Sequence, residues 1–151
     1  ESTNGIFVPG VTGIAAPYWK SELGTVKIGL ENANNNEIIR AAMESIGFLV
    51  HDIIKQMDLK NALPDMLTAS GGGARAPLLQ FIADILMITV GHISLKDRTA
   101  IGVFQLLYKK NTGHYLSVGA ECDEIFEPRM KKVTRAKKLK HWKNALAQVG
   151  I

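Results

Sequence analysis

Three consecutive glycines, Gly71 to Gly73, stand in the stretch GGGARA between a short apolar run and a segment with helical character. A helix that begins just after such a turn presents unpaired N–H groups and the positive end of its dipole, which favours an anion. Glycine also permits positive φ angles and has no Cβ to keep a flat ring or a phosphate away. Gly71 to Ala76 therefore form a candidate nucleotide-contacting turn. The alternative is a tight turn that needs glycine only for its geometry.

The residues around the glycines narrow the type of nucleotide motif. A P-loop needs Gly-Lys-Ser/Thr after its glycines, and Ala74–Arg75–Ala76 stand there instead, so a Walker A motif is excluded. The dinucleotide pattern GxGxxA is formally satisfied by Gly71, Gly73 and Ala76. However, the next predicted strand ends in TVGH, without the acid that would hold the ribose hydroxyls. An NAD-binding domain is therefore a weakly supported alternative.

No other cluster of residues predicts chemistry. Three aspartates are interpreted as structural: Asp52 and Asp84 on the polar faces of helices, and Asp97 as a helix cap. Neither the four histidines nor Cys122 show the spacing of metal ligands, so no metal site and no catalytic residue are predicted in this chain. As the one cysteine, Cys122 cannot form an internal disulfide, which is in keeping with a cytoplasmic protein.

The net charge of +4 is concentrated near the end of the chain, where Arg129 to Lys143 contain eight Lys or Arg and no acid. A nucleic-acid-binding surface is one interpretation, but only His141 and Trp142 are available there for stacking. An amphipathic helix with a solvated basic face is the favoured one, and no nucleic-acid partner is predicted. Its predicted apolar stripe consists of Val133, Ala136, Leu139, Trp142, Leu146 and Val149.

The glycine turn must be positioned by elements that the sequence also indicates. Asparagines in ENANNN predict the start of a helix from Glu37 to about Met57. The predicted apolar stripe of that helix consists of Ile39, Ala42, Ile46, Leu49, Ile53 and Met57. Strands are predicted in GIFVPG, GTVKIGL, MLTAS (as a buried strand) and MITVGHI, and further helices from Pro77 to Leu86, from Asp97 or Thr99 to about Lys110, and in the basic segment. Strands that alternate with helices indicate an α/β fold, and the strand-rich start indicates a mixed sheet.

A chain of 151 residues predicts a single domain over residues 1–151. The longest apolar run, Phe81 to Val90, is about half a membrane span and contains Asp84, so no transmembrane helix or membrane partner is predicted. No signal-peptide pattern opens the chain. Because residue 1 is Glu, we expect the N-terminus to be a cut end.

Four separated stretches together resemble one family. They are VPGVTGIAAPYW (Val8 to Trp19), EIIRAAMESIGF (Glu37 to Phe48), SGGGARAPLLQFIADIL (Ser70 to Leu86) and DRTAIGV (Asp97 to Val103). Their order and spacing are similar to those of the C-terminal domain of the FGGY carbohydrate kinases, in a glycerol kinase-like form. The segments IFEP and WKNAL near the end of the chain are also similar to that family.

This resemblance implies a fold and an activity. Family members transfer the γ-phosphoryl group of ATP, with Mg²⁺, to a hydroxyl of a sugar or polyol, in a cleft between two domains of the ribonuclease-H-like (actin-like ATPase) fold. GGGARA then corresponds to the adenosine motif, so Gly71, Gly72, Gly73, Ala74 and Arg75 are expected to contact the nucleotide. Thr99 to Gly102 correspond to a helix of small residues near the domain hinge, where Ala100 and Gly102 would permit close helix approach.

The resemblance also has gaps. Ala76–Pro77 replace an asparagine that helps to hold the nucleotide in glycerol kinases, and Lys20 replaces an acid. The family's catalytic Asp and phosphate loops precede the part represented here, so we expect the chain alone to be inactive as a kinase. A degenerate pseudokinase or scaffold is the alternative. The fold is expected to be incomplete on its N-terminal side, so that a bare sheet edge favours self-association.

Overall fold

The computed structural model describes residues 3–57, 64–95, 97–116 and 121–151 of the chain. Strands and helices alternate through most of it, as predicted. The elements are β1 Ile6–Val8, β2 Val26–Ile28, α1 Asn35–Gln56, β3 Met66–Ser70, α2 Ala76–Leu86, β4 Thr89–Ile93, α3 Arg98–Thr112, β5 Glu124–Phe126 and α4 Lys132–Gln148. No helix in the described ranges is both long and apolar enough to cross a membrane.

The described strands form two small sheets. β1 and β2 pair antiparallel, with Ile6 opposite Ile28. The second sheet has the order β3-β4-β5, in which β3 and β4 are parallel and β4 and β5 antiparallel. The prediction of a mixed sheet is therefore confirmed. In the parallel pair Ser70 lies opposite Ile93, so both strands end at the same edge of the sheet.

Local signals predicted the start of α1 correctly, but the predicted apolar stripe of this helix coincides only in part with its buried face. The side chain of Asn34 accepts a hydrogen bond from the Glu37 N–H at 2.9 Å, as expected of an N-cap. Ile39 and Ile46 of the predicted stripe are 65% and 46% exposed, whereas Leu49 of the same stripe packs against the core. The buried residues of α1 are Ala41, Glu44, Ser45, Gly47 and Phe48. Apolar residues lie on more than one face of this helix, and the face that carries Phe48 packs against the core.

Aromatic rings from three helices form the centre of the core. The Phe48 ring stacks on Trp142 with centroids 5.1 Å apart and meets Phe81 edge-on at 5.3 Å. Gly47 lies against the Phe81 ring, where a Cβ would clash. Such aromatic pairs add roughly 0.5–1.5 kcal/mol each beyond the area they bury. The core therefore joins α1, α2 and α4.

A buried carboxylate ties the basic helix α4 to α1. Glu44 is 2% exposed and pairs with Arg40 at 2.9 Å and with Lys138 at 2.6 Å. Lys138 also donates to the carbonyl of Thr3 at 3.1 Å. Since a buried charge is tolerated only when it is paired, these bonds make Lys138 part of the fold. The prediction of a fully solvated basic face is thus wrong at this position.

The predicted apolar stripe of α4 holds only in the C-terminal half of the helix. Trp142 and Leu146 are buried, and Leu139 packs against the core. Val133, by contrast, is 82% exposed. The prediction that β3 is buried is also wrong, since its residues alternate between exposed and partly buried.

Asp52 is partly buried and makes tertiary hydrogen bonds, in agreement with the structural role predicted for it. Its Oδ2 accepts hydrogen bonds from the Tyr18 hydroxyl at 2.7 Å and from Trp142 Nε1 at 2.6 Å, and its Oδ1 lies 2.9 Å from His51 Nδ1. Burial alone raises the pKa of the Asp52 carboxyl, but the bonds from His51, Tyr18 and Trp142 outweigh burial and hold that pKa below its ordinary value. Burial, with the bond to Asp52, raises the pKa of the Tyr18 hydroxyl.

Asp84 is a second carboxylate with a structural role, as predicted. Its Oδ1 accepts from the backbone N–H of Arg129 at 2.6 Å and of Met130 at 3.0 Å. Gln80 donates to the same oxygen at 3.2 Å. The carboxylate therefore fastens the segment before α4 to α2.

We expect the Asp52→Ala substitution to lower the free energy of unfolding by about 2–4 kcal/mol, because it leaves the donors on Tyr18 and Trp142 without an acceptor. Chemical denaturation at neutral pH measures this loss. The pKa of Asp52 is lower in the folded state than its ordinary value of 3.8. Its contribution is therefore complete above that pH and is lost as the pH falls through the folded-state pKa.

The control for this substitution is Asp65→Ala, at an exposed aspartate just before β3. We expect it to change stability by less than about 0.5 kcal/mol. Equal effects of the two substitutions would contradict a central role for Asp52.

Candidate functional site

The glycine turn follows β3 directly and has a defined backbone. Gly71 adopts a φ of +98°, a region that other residues rarely enter. Its carbonyl accepts from the Ala74 N–H at 3.0 Å, and the carbonyl of Gly73 accepts from the Arg75 N–H at 2.9 Å. Ala76 then begins α2, with Pro77 in its first turn as predicted. The geometric need for glycine is therefore real at Gly71.

Gly72 and Gly73 have ordinary φ angles, so their lack of a side chain has another consequence. A Cβ added at Gly71, Gly72 or Gly73 would meet no described heavy atom within 4 Å. By contrast, a Cβ at Gly91 would clash with Cys122. Gly91 therefore makes room for another side chain of the protein. The glycines of the turn instead leave their main chain exposed to solvent or to a ligand.

This open turn forms one wall of a cleft of ≈ 790 Å³. Of the five predicted contact residues, Gly71, Gly72, Ala74 and Arg75 line the cleft, whereas Gly73 is not among its lining residues. The opposite wall is formed by residues that sequence reasoning did not assign to a site. These are His92, Ile93, Ser94 and Leu95 at the end of β4 and Asp97, Arg98 and Thr99 at the start of α3.

The parallel pairing of β3 and β4 explains why these two walls meet. Because Ser70 lies opposite Ile93, the chain leaves both strands at the same edge of the sheet. Ligand clefts of α/β sheets form beyond the carboxyl ends of parallel strands. Applied to the predicted strands MLTAS and MITVGHI, this rule could have identified the residues after the second strand as the second wall.

A carboxylate fixes the backbone on the second wall. Asp123 Oδ2 accepts from the Ser94 N–H at 2.6 Å, and the Asp123 N–H donates to the carbonyl of His92 at 2.8 Å. The bond from the Ser94 N–H is the main reason why the pKa of Asp123 lies below its ordinary value. His92 Nδ1 lies 3.6 Å from Glu124 Oε2. The exit from β4 is therefore held to the start of β5.

The cleft favours negative charge. The N-termini of α2 and α3 both border it, and Arg75 and Arg98 line it, against one carboxylate from Asp97. Asp97 is the N-cap residue of α3, as predicted, but it has a φ of +56° and its side chain makes no capping hydrogen bond. The first-turn amides of α3 are thus left without a side-chain acceptor from the cap.

Gly102 and Lys20, which the sequence analysis also singled out, do not line the cleft. Gly102 lies on α3, and within the described ranges no atom approaches a Cβ placed there, so close helix approach at this point stays a prediction. Lys20 makes two backbone hydrogen bonds with Ile14, at 2.8 and 2.9 Å, that close the N-terminal loop. The described residues contain no group of three or more His, Cys, Asp or Glu side chains placed to hold a metal ion.

Comparison with known proteins identifies the class. The family described as the FGGY family of carbohydrate kinases, C-terminal domain, matches residues 2–107. The chain is 35% identical over 163 residues to the glycerol kinase of Shewanella frigidimarina, covering 99% of this chain and 32% of that protein. It is 32% identical over 153 residues to the glycerol kinase of Thermococcus kodakarensis, covering 97% of this chain and 31% of that protein.

Solved structures agree with these sequence matches. The crystal structure of Plasmodium falciparum glycerol kinase with ADP superposes with a TM-score of 0.78 at 26% identity, covering 97% of this chain and 31% of that one. A xylulose kinase from Brucella ovis gives a TM-score of 0.77 at 21% identity, with 95% of this chain and 31% of that one covered, and supports the fold alone.

The chain therefore belongs to the FGGY family of carbohydrate kinases, as a C-terminal domain of that family. It has the α/β architecture of these kinases, with a mixed sheet and packed helices, as the resemblance implied. It spans about a third of the length of the glycerol kinases that it matches.

We expect Gly71→Ala to lower the free energy of unfolding by about 1–2 kcal/mol, because alanine is strained at a positive φ. The substitution Gly72→Ala, in open space at an ordinary φ, is the matched control and should change stability by less than about 0.5 kcal/mol. Thermal and chemical denaturation of both variants measure the difference. A Gly71→Ala variant as stable as Gly72→Ala would show that the turn does not require its left-handed conformation.

Proposed function

We propose that this chain is the ATP-binding, C-terminal part of an ATP-dependent sugar or polyol kinase, and that residues 1–151 form one domain of it. The observation that carries the proposal is the open main chain of the glycine turn, which faces the N-terminus of α3 across a cleft with an excess of positive charge. The flat base of a nucleotide could lie against the open main chain, and its phosphates would be attracted by the positive charge of the cleft.

Within this proposal the residues of the turn contribute by having small side chains or none, which leaves space for the nucleotide. Gly71, Gly72 and Gly73 present bare backbone to the adenine and ribose of ATP, and Ala74 adds only a methyl group. Arg75 supplies a cation at the rim of the cleft, as does Arg98 on the other wall. Gly73 carries the weakest support of the five, since it is not among the lining residues.

The complete kinase would use ATP with Mg²⁺, where ATP supplies the phosphoryl group. Mg²⁺ is commonly held through substrate phosphates and one or two carboxylates. The described residues of this chain offer no metal-binding cluster, so we assign the ion to the phosphate end of the nucleotide. The role of this chain is to bind and orient the nucleotide, and we expect it to transfer no phosphoryl group by itself.

A second candidate function is a degenerate pseudokinase or scaffold domain that no longer binds a nucleotide. Two observations favour it: Ala76–Pro77 replace the asparagine that the resemblance leads one to expect, and Lys20 replaces an acid. ATP-dependent phosphorylation of a sugar or polyol by the complete protein would exclude this candidate. Family membership in the carbohydrate kinases leaves the NAD-binding alternative without support.

The test of nucleotide binding is a calorimetric titration of the chain with ADP. We expect saturable binding that the substitution Gly72→Val weakens at least about tenfold, because its side chain enters the cleft where the base would lie. NAD should bind more weakly than ADP.

The matched control for this titration is Gly24→Val. A Cβ added at Gly24 would also meet no described heavy atom within 4 Å, and the φ of Gly24 is ordinary, but this residue lies outside the cleft. The ADP affinity of the control variant should equal that of the unchanged chain. The proposal fails if the chain does not bind ADP at millimolar concentration, or if both valine variants lose affinity equally.

We further propose that the chain self-associates through the outer edge of β3. Within the described ranges β3 pairs only with β4, and exposed strand edges pair readily with other chains. Sedimentation velocity should show dimers that the substitution Thr68→Lys, at an exposed position of β3, dissociates. A monomer at all concentrations would contradict this proposal.

A further inference from the structure

A second cavity, of ≈ 640 Å³, lies between the C-terminal half of α1, the helix α4 and Tyr18 of the N-terminal loop. None of its lining residues belongs to the nucleotide cleft. Its volume falls within the roughly 300–1,000 Å³ typical of small-molecule sites. The carbohydrate kinase function assigned above makes no use of it.

The inner wall of this cavity is apolar, and its one carboxylate is fully engaged. Trp142, Leu139 and Leu146 supply the apolar surface. Asp52 accepts two donors at Oδ2 and lies beside His51 at Oδ1. A cationic ligand would have to displace one of these partners, so the wall offers no free negative group.

The rim of the cavity is positively charged. Its cationic side chains come from both helices and are Lys55, Arg135, Lys140 and Lys143. Lys55 lies in the last turn of α1, where it offsets the negative end of the helix dipole. The cationic groups that would attract a ligand are therefore those of α4, namely Arg135, Lys140 and Lys143.

Arg135 is already fixed in position, whereas the two lysines on α4 are exposed. Arg135 Nε donates to the carbonyl of Ile85 at 2.6 Å, which orients the guanidinium group. Among the residues that the structure describes, no carboxylate forms an ion pair with Lys140 or Lys143. A preoriented guanidinium and two ammonium groups that line the same cavity are suited to a doubly charged phosphate.

We propose that this cavity binds an organic phosphate monoester. The phosphate would lie among Arg135, Lys140 and Lys143, and the carbon body of the ligand would cover the apolar wall at Leu139 and Trp142. The basic segment of α4 then has two roles, since Lys138 stabilises the fold through Glu44 and the lysines at the cavity bind a ligand. The nucleotide cleft takes no part in this site.

The test is a calorimetric titration of the full chain at low salt with phenyl phosphate, which combines a dianion with a flat apolar body. We expect saturable binding, weaker binding of inorganic phosphate, and no detectable binding of benzyl alcohol. The double substitution Lys140→Glu/Lys143→Glu should weaken phenyl phosphate binding at least about tenfold.

The matched control is Lys132→Glu/Lys137→Glu, which changes the net charge equally on the same helix but outside this cavity. It should reduce affinity less than twofold, and both double variants should keep the circular dichroism spectrum of the unchanged chain. Phenyl phosphate binding should also survive Gly72→Val in the nucleotide cleft. Absence of saturable binding, equal loss in the two lysine variants, or loss in Gly72→Val would each overturn the proposal.

Discussion

The parallel pairing of β3 with β4 is the constraint on which the candidate site depends. It brings the glycine turn and the start of α3 to one edge of the sheet, although 27 residues of sequence separate Gly71 from Arg98. Ser94 is then fixed by Asp123, so the position of the second wall depends also on β5. The position of the cleft thus follows from the sheet topology, whereas the residues that line it determine its charge and its open volume.

A second constraint joins α1, α4 and the N-terminal segment. The Phe48 and Trp142 rings join α1 to α4, and two carboxylates on α1, Glu44 and Asp52, bind the same helix α4 through Lys138 and Trp142. Each carboxylate also holds the N-terminal segment, Glu44 through Lys138 and Thr3, and Asp52 through Tyr18. Buried charges stabilise a fold only when every partner is present, so these bonds favour one arrangement of the three segments.

The sheet edge presents an open, positively charged cleft, which suits the binding of a nucleotide. Phosphoryl transfer further requires a base and groups that stabilise charge on the transferred phosphate. The matched glycerol kinases are about three times as long as this chain, so their remaining length has room for such groups.

The sequence by itself determined the local structure and the family. Asn34, Pro77 and the glycine turn mark element boundaries because caps and φ preferences act within a few residues, and most strands and helices were predicted near their observed positions. Four of the five predicted turn residues line the cleft, although the cleft itself depends on the pairing of β3 with β4. Only the tertiary structure decided which face of α1 is buried, what Asp52 and Asp84 bind, and which residues form the second wall. The distant partners of Asp52 and Asp84 lie 34 to 90 residues away along the chain, and no local pattern encodes a contact that depends on how distant segments pack.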